Sequence, residues 1–169
     1  MLPEVMAGLR TIIAKQNPDS DQYQCILRHP KTFKGLLQVL STQVDTTIEV
    51  NVKILIDCLW VIQSLTFEPK VTCLLVELGM PQILSAFYLQ HFIMDVADDF
   101  YEPGHMMPVS KRLSPLKKDL LVELLWFTAN VAADHDSKKK VDYLSSEGLH
   151  RTILLVFKCY RDHLDWECL

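Results

Sequence analysis

Apolar residues recur at helical spacing along nearly the whole chain. Leu2–Gln16 places Leu2, Val5, Met6, Leu9, Ile12 and Ile13 along one side of a helix, and Asn17-Pro18-Asp19-Ser20 ends it with turn chemistry. Asp21–Arg28 predicts a short helix closed by His29-Pro30. Lys31–Leu40 predicts another, with Phe33, Leu36, Leu37 and Leu40 on one face. Ser41–Thr47 is polar; Thr46 or Thr47 is placed to cap the next helix, with Glu49 in its first turn. That helix, Ile48–Phe67, is long and strongly apolar and stops at Glu68-Pro69, because proline cannot continue a helix but suits the first position of a new one.

The order then recurs. Lys70–Leu78 is a short helix ending at Gly79, a C′ glycine, and Met80-Pro81 opens Gln82–Met94. Asp95–Ser114, with Asp98-Asp99, Pro103-Gly104, Pro108 and Lys111-Arg112, differs in composition and reads as a long loop inserted between core helices. Ser114-Pro115 caps and starts Leu116–Ala133. Asp134–Ser137 is a polar turn, Lys138–Ser146 a short helix ending near Gly148, Leu149–His163 is apolar again, and Trp166 lies in a frayed tail.

The stretch Leu120–Ala133 is apolar around nearly its whole circumference, which predicts a buried helix. Only Glu123, Thr128 and Asn130 in it are polar, and Asp119, Glu123, Trp126 and Asn130 fall on the same face at 3.6 residues per turn. The earlier long helix repeats the arrangement. An acid stands one turn before each Trp, Asp57 before Trp60 and Glu123 before Trp126. A break, a short helix with V-x-x-L and a Gly-hydrophobic pair (Gly79-Met80, Gly148-Leu149) follow each Trp helix, and an apolar helix comes next. Removing an insertion of about 20–25 residues from the interval between the two Trp leaves roughly the 40–47-residue period of HEAT and armadillo repeats, and three helices per unit favours armadillo.

At these residues the chain resembles the armadillo repeats of importin-α, over roughly Phe33 to Phe157. The resemblance implies an all-α, right-handed armadillo/HEAT-like solenoid of about two to three repeats. It also implies a groove lined by the long helices: Trp side chains stack on the aliphatic stems of Lys and Arg, Asn side chains clamp an extended peptide backbone, and acids meet the basic heads. Carried onto this chain, Trp126 and Asn130 form a complete pair with Glu123 and Asp119 beside them. Trp60 with Asp57 forms an incomplete one, because Ser64 stands where the family has Asn and Lys53 adds a positive charge one turn below Asp57. Independently of the family, an exposed indole attracts a cation with about 0.5–2 kcal/mol, and a neighbouring carboxylate adds direct charge attraction.

Composition narrows the alternatives. With 169 residues, 49% of them hydrophobic, the chain can bury a core as a single domain spanning 1–169. A net charge of −4 argues against a broad nucleic-acid-binding face. The five Cys, at positions 25, 58, 73, 159 and 168, have no CxxC spacing and mostly apolar neighbours, and read as reduced, buried thiols. Neither a signal peptide nor a membrane-spanning run is expected, which points to the cytoplasm or nucleus. His91 and Asp95 have metal-ligand spacing on a helix, with Asp98, Asp99 and His105 nearby, but a helix end running into an acidic loop accounts for the cluster, and no metal or cofactor is expected. Asp134-His135-Asp136 reads as a turn, with no nucleophile beside it. Lys111-Arg112-Leu113-Ser114-Pro115 resembles a kinase target, making Ser114 a candidate phosphorylation site at a helix N-terminus.

The expectation is therefore a non-enzymatic interaction module. It is either an importin-α-like adaptor for an extended, basic peptide or a divergent armadillo scaffold that joins a larger assembly, or another copy of itself, through its open ends. So few repeats leave the terminal units uncapped, so a longer parent chain or a covering partner is also expected.

Overall fold

The computed structural model describes residues 2–15, 21–42, 44–93, 113–133 and 148–160. Every regular element among them is helical. The loop expected over Asp95–Ser114 (up to residue 112), the turn and short helix expected between 134 and 147, and the tail with Trp166 lie outside the described residues.

Helix α1 (Leu2–Lys15) buries Met6 and Ile13, whereas Leu2 and Val5 of the same apolar series stay about half exposed. Helix α2 is Asp21–Arg28, with an acid in its first turn and Arg28 in its last, the polarity that suits the helix dipole. Helix α3 (Pro30–Ser41) starts on proline and buries the expected face, Phe33, Leu36, Leu37 and Leu40. Helix α4 is Glu49–Leu65 and helix α5 is Pro69–Glu77, again with proline in the first turn. Helix α6 (Met80–Tyr88) continues into a π-helical turn, Leu89–Ile93. Helix α7 is Pro115–Ala133 and helix α8 is Leu149–Tyr160.

Two local expectations need different physical accounts. Ser114 does cap α7: its Oγ accepts the backbone N–H of Lys117 at 3.3 Å. Neither Thr46 nor Thr47 caps α4. Ile48 occupies the N-cap position with extended backbone and contributes no side-chain hydrogen bond. Asp45 has taken Thr47 instead, its Oδ1 accepting both the Thr47 backbone N–H at 2.8 Å and the Thr47 hydroxyl at 2.6 Å. An aspartate two residues back offers a stronger, charged acceptor than the threonine offers the helix.

The helices pack in two rows. In one, α4 has α1 and α7 as its principal neighbours; in the other, α6 has α3 and α8, and α3 against α4 ties the rows together. The short, intermediate and long helices α2, α3 and α4 are followed by α5, α6 and α7 in the same order of role. Gly79 and Gly148 both adopt positive φ, 85° and 74°, immediately before α6 and α8. At Gly79 the left-handed residue lets the chain reverse out of the short helix α5 into α6, a backbone conformation that costs other residues about 1–2 kcal/mol. The corresponding junction before α3 uses His29-Pro30 instead, with His29 at φ −107°.

Between the rows lies one continuous apolar core that includes Phe33, Leu59, Ile62, Leu84, Phe87, Phe92, Leu124 and Phe127. Each such side chain, fully withdrawn from water, contributes about 1.5–3 kcal/mol. Two buried phenols find partners within it. Tyr88 reaches Thr128 Oγ1 at 3.0 Å, joining α6 to α7, and Thr128 in turn donates to the Leu124 carbonyl at 2.8 Å. Tyr160 of α8 donates to the Phe92 carbonyl in the π turn at 2.7 Å. Among the described residues no single helix is long and apolar enough to cross a membrane.

Candidate functional site

Helix α7 is buried along most of its circumference. Leu120, Leu121, Leu124, Leu125, Phe127, Thr128 and Val131 all lie in the core. The polar stripe read from the sequence emerges at the remaining edge. Asp119 is exposed, Glu123 and Asn130 are half-buried, and Trp126 leaves 45% of its surface in water. Burial pushes the Glu123 carboxyl up from the ordinary glutamate range; Arg10 pulls it back down and Asp119 adds a smaller upward push. Between this edge and α4 lies an open depression of about 560 Å³ bounded by Ile56, Pro115, Lys118, Asp119, Val122 and Glu123.

The matching stripe on α4 is arranged differently. Asp57, Trp60 and Ser64 are all half-buried. The guanidinium of Arg10, carried by α1, sits 5.0 Å from the centre of the Trp60 ring. Its Nη1 donates to Asp57 Oδ1. Ser64 turns inward: its hydroxyl donates to the Trp60 carbonyl at 2.9 Å within the same helix. Lys53 pairs with Glu49 one turn earlier, on an exposed part of α4. The two Trp therefore differ in setting. Trp126 stands partly open to solvent, and Trp60 already carries a cation from the chain itself.

Arg10 belongs to this site and was not singled out by the sequence pattern. A signal was present. Arg10 follows Met6 by four residues and precedes Ile13 by three, so it shares a face with the two buried residues of α1. A cation on the buried face of an amphipathic helix needs an acid across the interface, because an uncompensated charge there is costly. Only the tertiary packing reveals that the acid is Asp57, on α4.

Among the described residues no three His, Cys, Asp or Glu side chains are grouped to hold a metal ion. His91 is buried, with its ring 4.5 Å from that of Phe87. Asp95, Asp98, Asp99, His105 and the Asp134-His135-Asp136 segment lie outside the described residues. The thiols are less uniform than expected. Cys58 is buried, with its thiol pushed up by burial and by Asp57, and lies 3.4 Å from the Leu36 carbonyl. Cys25 and Cys73 are exposed and Cys159 is half-buried, packed against the core; Cys168 lies outside the described residues. No protein-family model matches the sequence, and no curated protein or solved structure matches it either.

Proposed function

We propose that this chain is a non-enzymatic protein–protein interaction module, an armadillo-type solenoid segment of importin-α-like character. In this reading the edge shared by α4 and α7 binds an extended, arginine-containing peptide. Trp126 supplies a flat face for an aliphatic stem or a cation, Glu123 and Asp119 attract the charged heads, and Asn130 holds the peptide backbone. Trp60, Asp57 and Ser64 continue the same row. The observation that carries the reading is the seating of Arg10: an arginine lies over one indole and against one carboxylate of this row. A cytoplasmic or nuclear setting, with a role in protein transport, follows from the reading and stands or falls with it.

The chemistry of the edge supports this choice of ligand. A cation over an indole gains about 0.5–2 kcal/mol, and a peptide that repeats the contact at successive positions sums modest terms into useful affinity. The test is a peptide array probed with the full chain and with a Trp126→Ala, Asn130→Ala double variant. Wild type should retain extended basic peptides that the double variant loses. Equal retention by both refutes the assignment of these residues.

A second reading has its own support. Among the described residues helix α8 is the last of its row, and its Leu154 and Leu155 are 65% and 45% exposed. A divergent scaffold that covers such a surface with another subunit or a second copy would assemble in a concentration-dependent way. Light scattering that gives one monomeric mass over a wide concentration range removes this alternative.

A further inference from the structure

Arg10 joins two helices. It grows from α1, stacks over Trp60 of α4 at 5.0 Å, and donates to Asp57 of the same helix. Its charge also reaches Glu123 on α7 and lowers the affinity of that carboxyl for a proton. Yet its own side chain stays 42% exposed, so it lies over the surface of the row and is not sealed beneath it. A flat indole with a carboxylate beside it is suited to a planar, delocalised cation with several donors. A compact ammonium, more strongly hydrated and without a face, matches it less well.

We infer that Asp57 and Trp60 form a guanidinium subsite filled in the free protein by the chain's own Arg10, which an incoming arginine side chain must displace. This inference rests on the peptide-binding reading above and adds to it both the preferred cation and a built-in competitor. Displacement needs little disruption. Met6 and Ile13 hold α1 in place by burial, so Arg10 can swing away through its own rotamers while the helix stays docked. A partly solvated ion pair is also a weak one, within reach of competition by a ligand of the same chemistry. The internal arginine lowers the apparent affinity of this half of the row by the fraction of time it is seated. Trp126, at 45% exposure, offers the more open first foothold for a peptide.

The experiment uses the full chain and two small probes, ethylguanidinium and ethylammonium, with the Trp60 indole N–H resonance as readout. In wild type neither probe should shift that resonance in a saturable way. In Arg10→Ala, ethylguanidinium should shift it saturably and several-fold more tightly than ethylammonium, and adding Asp57→Asn should abolish the effect. Arg10→Gln, which keeps a polar stem, replaces the alanine variant if the latter loses its helical signal. Identical responses in wild type and the Arg10 variants, or no discrimination between the two probes, overturn the inference. Peptide binding is then measured separately. Guanidinium uptake without any peptide binding leaves the subsite standing and removes the proposed function; peptide binding of equal strength with and without Arg10 does the reverse.

Discussion

Trp126 and Phe127 are neighbours in sequence and opposites in setting, so truncating each in turn separates recognition from support. Phe127 is fully buried, and Phe127→Ala should cost about 3–5 kcal/mol through lost transfer energy and the cavity left behind. Trp126 keeps 45% of its surface in water. About half of a side chain that can bury roughly 200 Å² is then withdrawn from solvent, which at about 25 cal/mol per Å² gives an upper bound of about 2.5 kcal/mol. The remaining Cβ and the absence of a sealed cavity reduce this to about 1–2 kcal/mol for Trp126→Ala. In a domain of this size each kcal/mol moves the midpoint by about 2–4 °C, so the two variants should differ by roughly 5–10 °C in Tm. Urea and thermal unfolding followed by circular dichroism would measure both. Equal losses would mean that the indole is a structural element of the core, and the reading of the α7 edge as a recognition surface would lose its basis.

Other consequences follow from particular contacts. Tyr88→Phe should cost about 0.5–1.5 kcal/mol and Thr128→Val about 1–3 kcal/mol, because the latter leaves a phenol buried without its partner. The double-mutant cycle should then show a coupling of about 0.5–1.5 kcal/mol in urea unfolding, and additive losses would contradict the bond between α6 and α7. Gly79→Ala and Gly148→Ala should each lose about 1–2 kcal/mol to positive φ alone, since nothing crowds a Cβ at either position more closely than ordinary contact. Gly35→Ala, inside α3 with open space around it, should gain about 0.5–1 kcal/mol in the same assay. Glu123 has a folded-state pKa raised by burial, so its contribution to stability is present below the ordinary glutamate pKa and is lost as pH rises through the folded value. Glu123→Gln should flatten stability across that window, and Arg10→Ala should move the Glu123 carboxyl resonance titration upward; an unchanged titration would show that Arg10 does not act on it.

The helix order was legible because local chemistry marks the junctions. Pro30, Pro69 and Pro115 begin helices, Gly79 ends one, and Ser114 caps another, all through interactions within a few residues. The buried face of α3 followed from periodicity, and the burial of α7 from a circumference that is apolar nearly all round. The α4 cap was misread because two local options competed and Asp45 outbid the helix for Thr47. The π turn at Leu89–Ile93 left no mark that spacing alone could reveal, since its carbonyl partner, Tyr160, sits on another helix. The candidate site divides in the same way. The α7 stripe is a property of one helix and was visible as such. The state of the α4 stripe depends on Arg10, far away in sequence, and on the inward turn of Ser64, and neither follows from spacing along α4.

In the proposed function the α4–α7 edge recognises arginine by charge and shape together. Isothermal titration of the full chain with an extended arginine-containing peptide and with its citrulline counterpart tests it most directly, because citrulline keeps the length and planarity and removes the charge. The arginine peptide should bind, weaken with added salt, and exceed the citrulline peptide by at least about tenfold, equivalent to about 1.4 kcal/mol. Equal binding of the two peptides, or no heat from either, would contradict the claim.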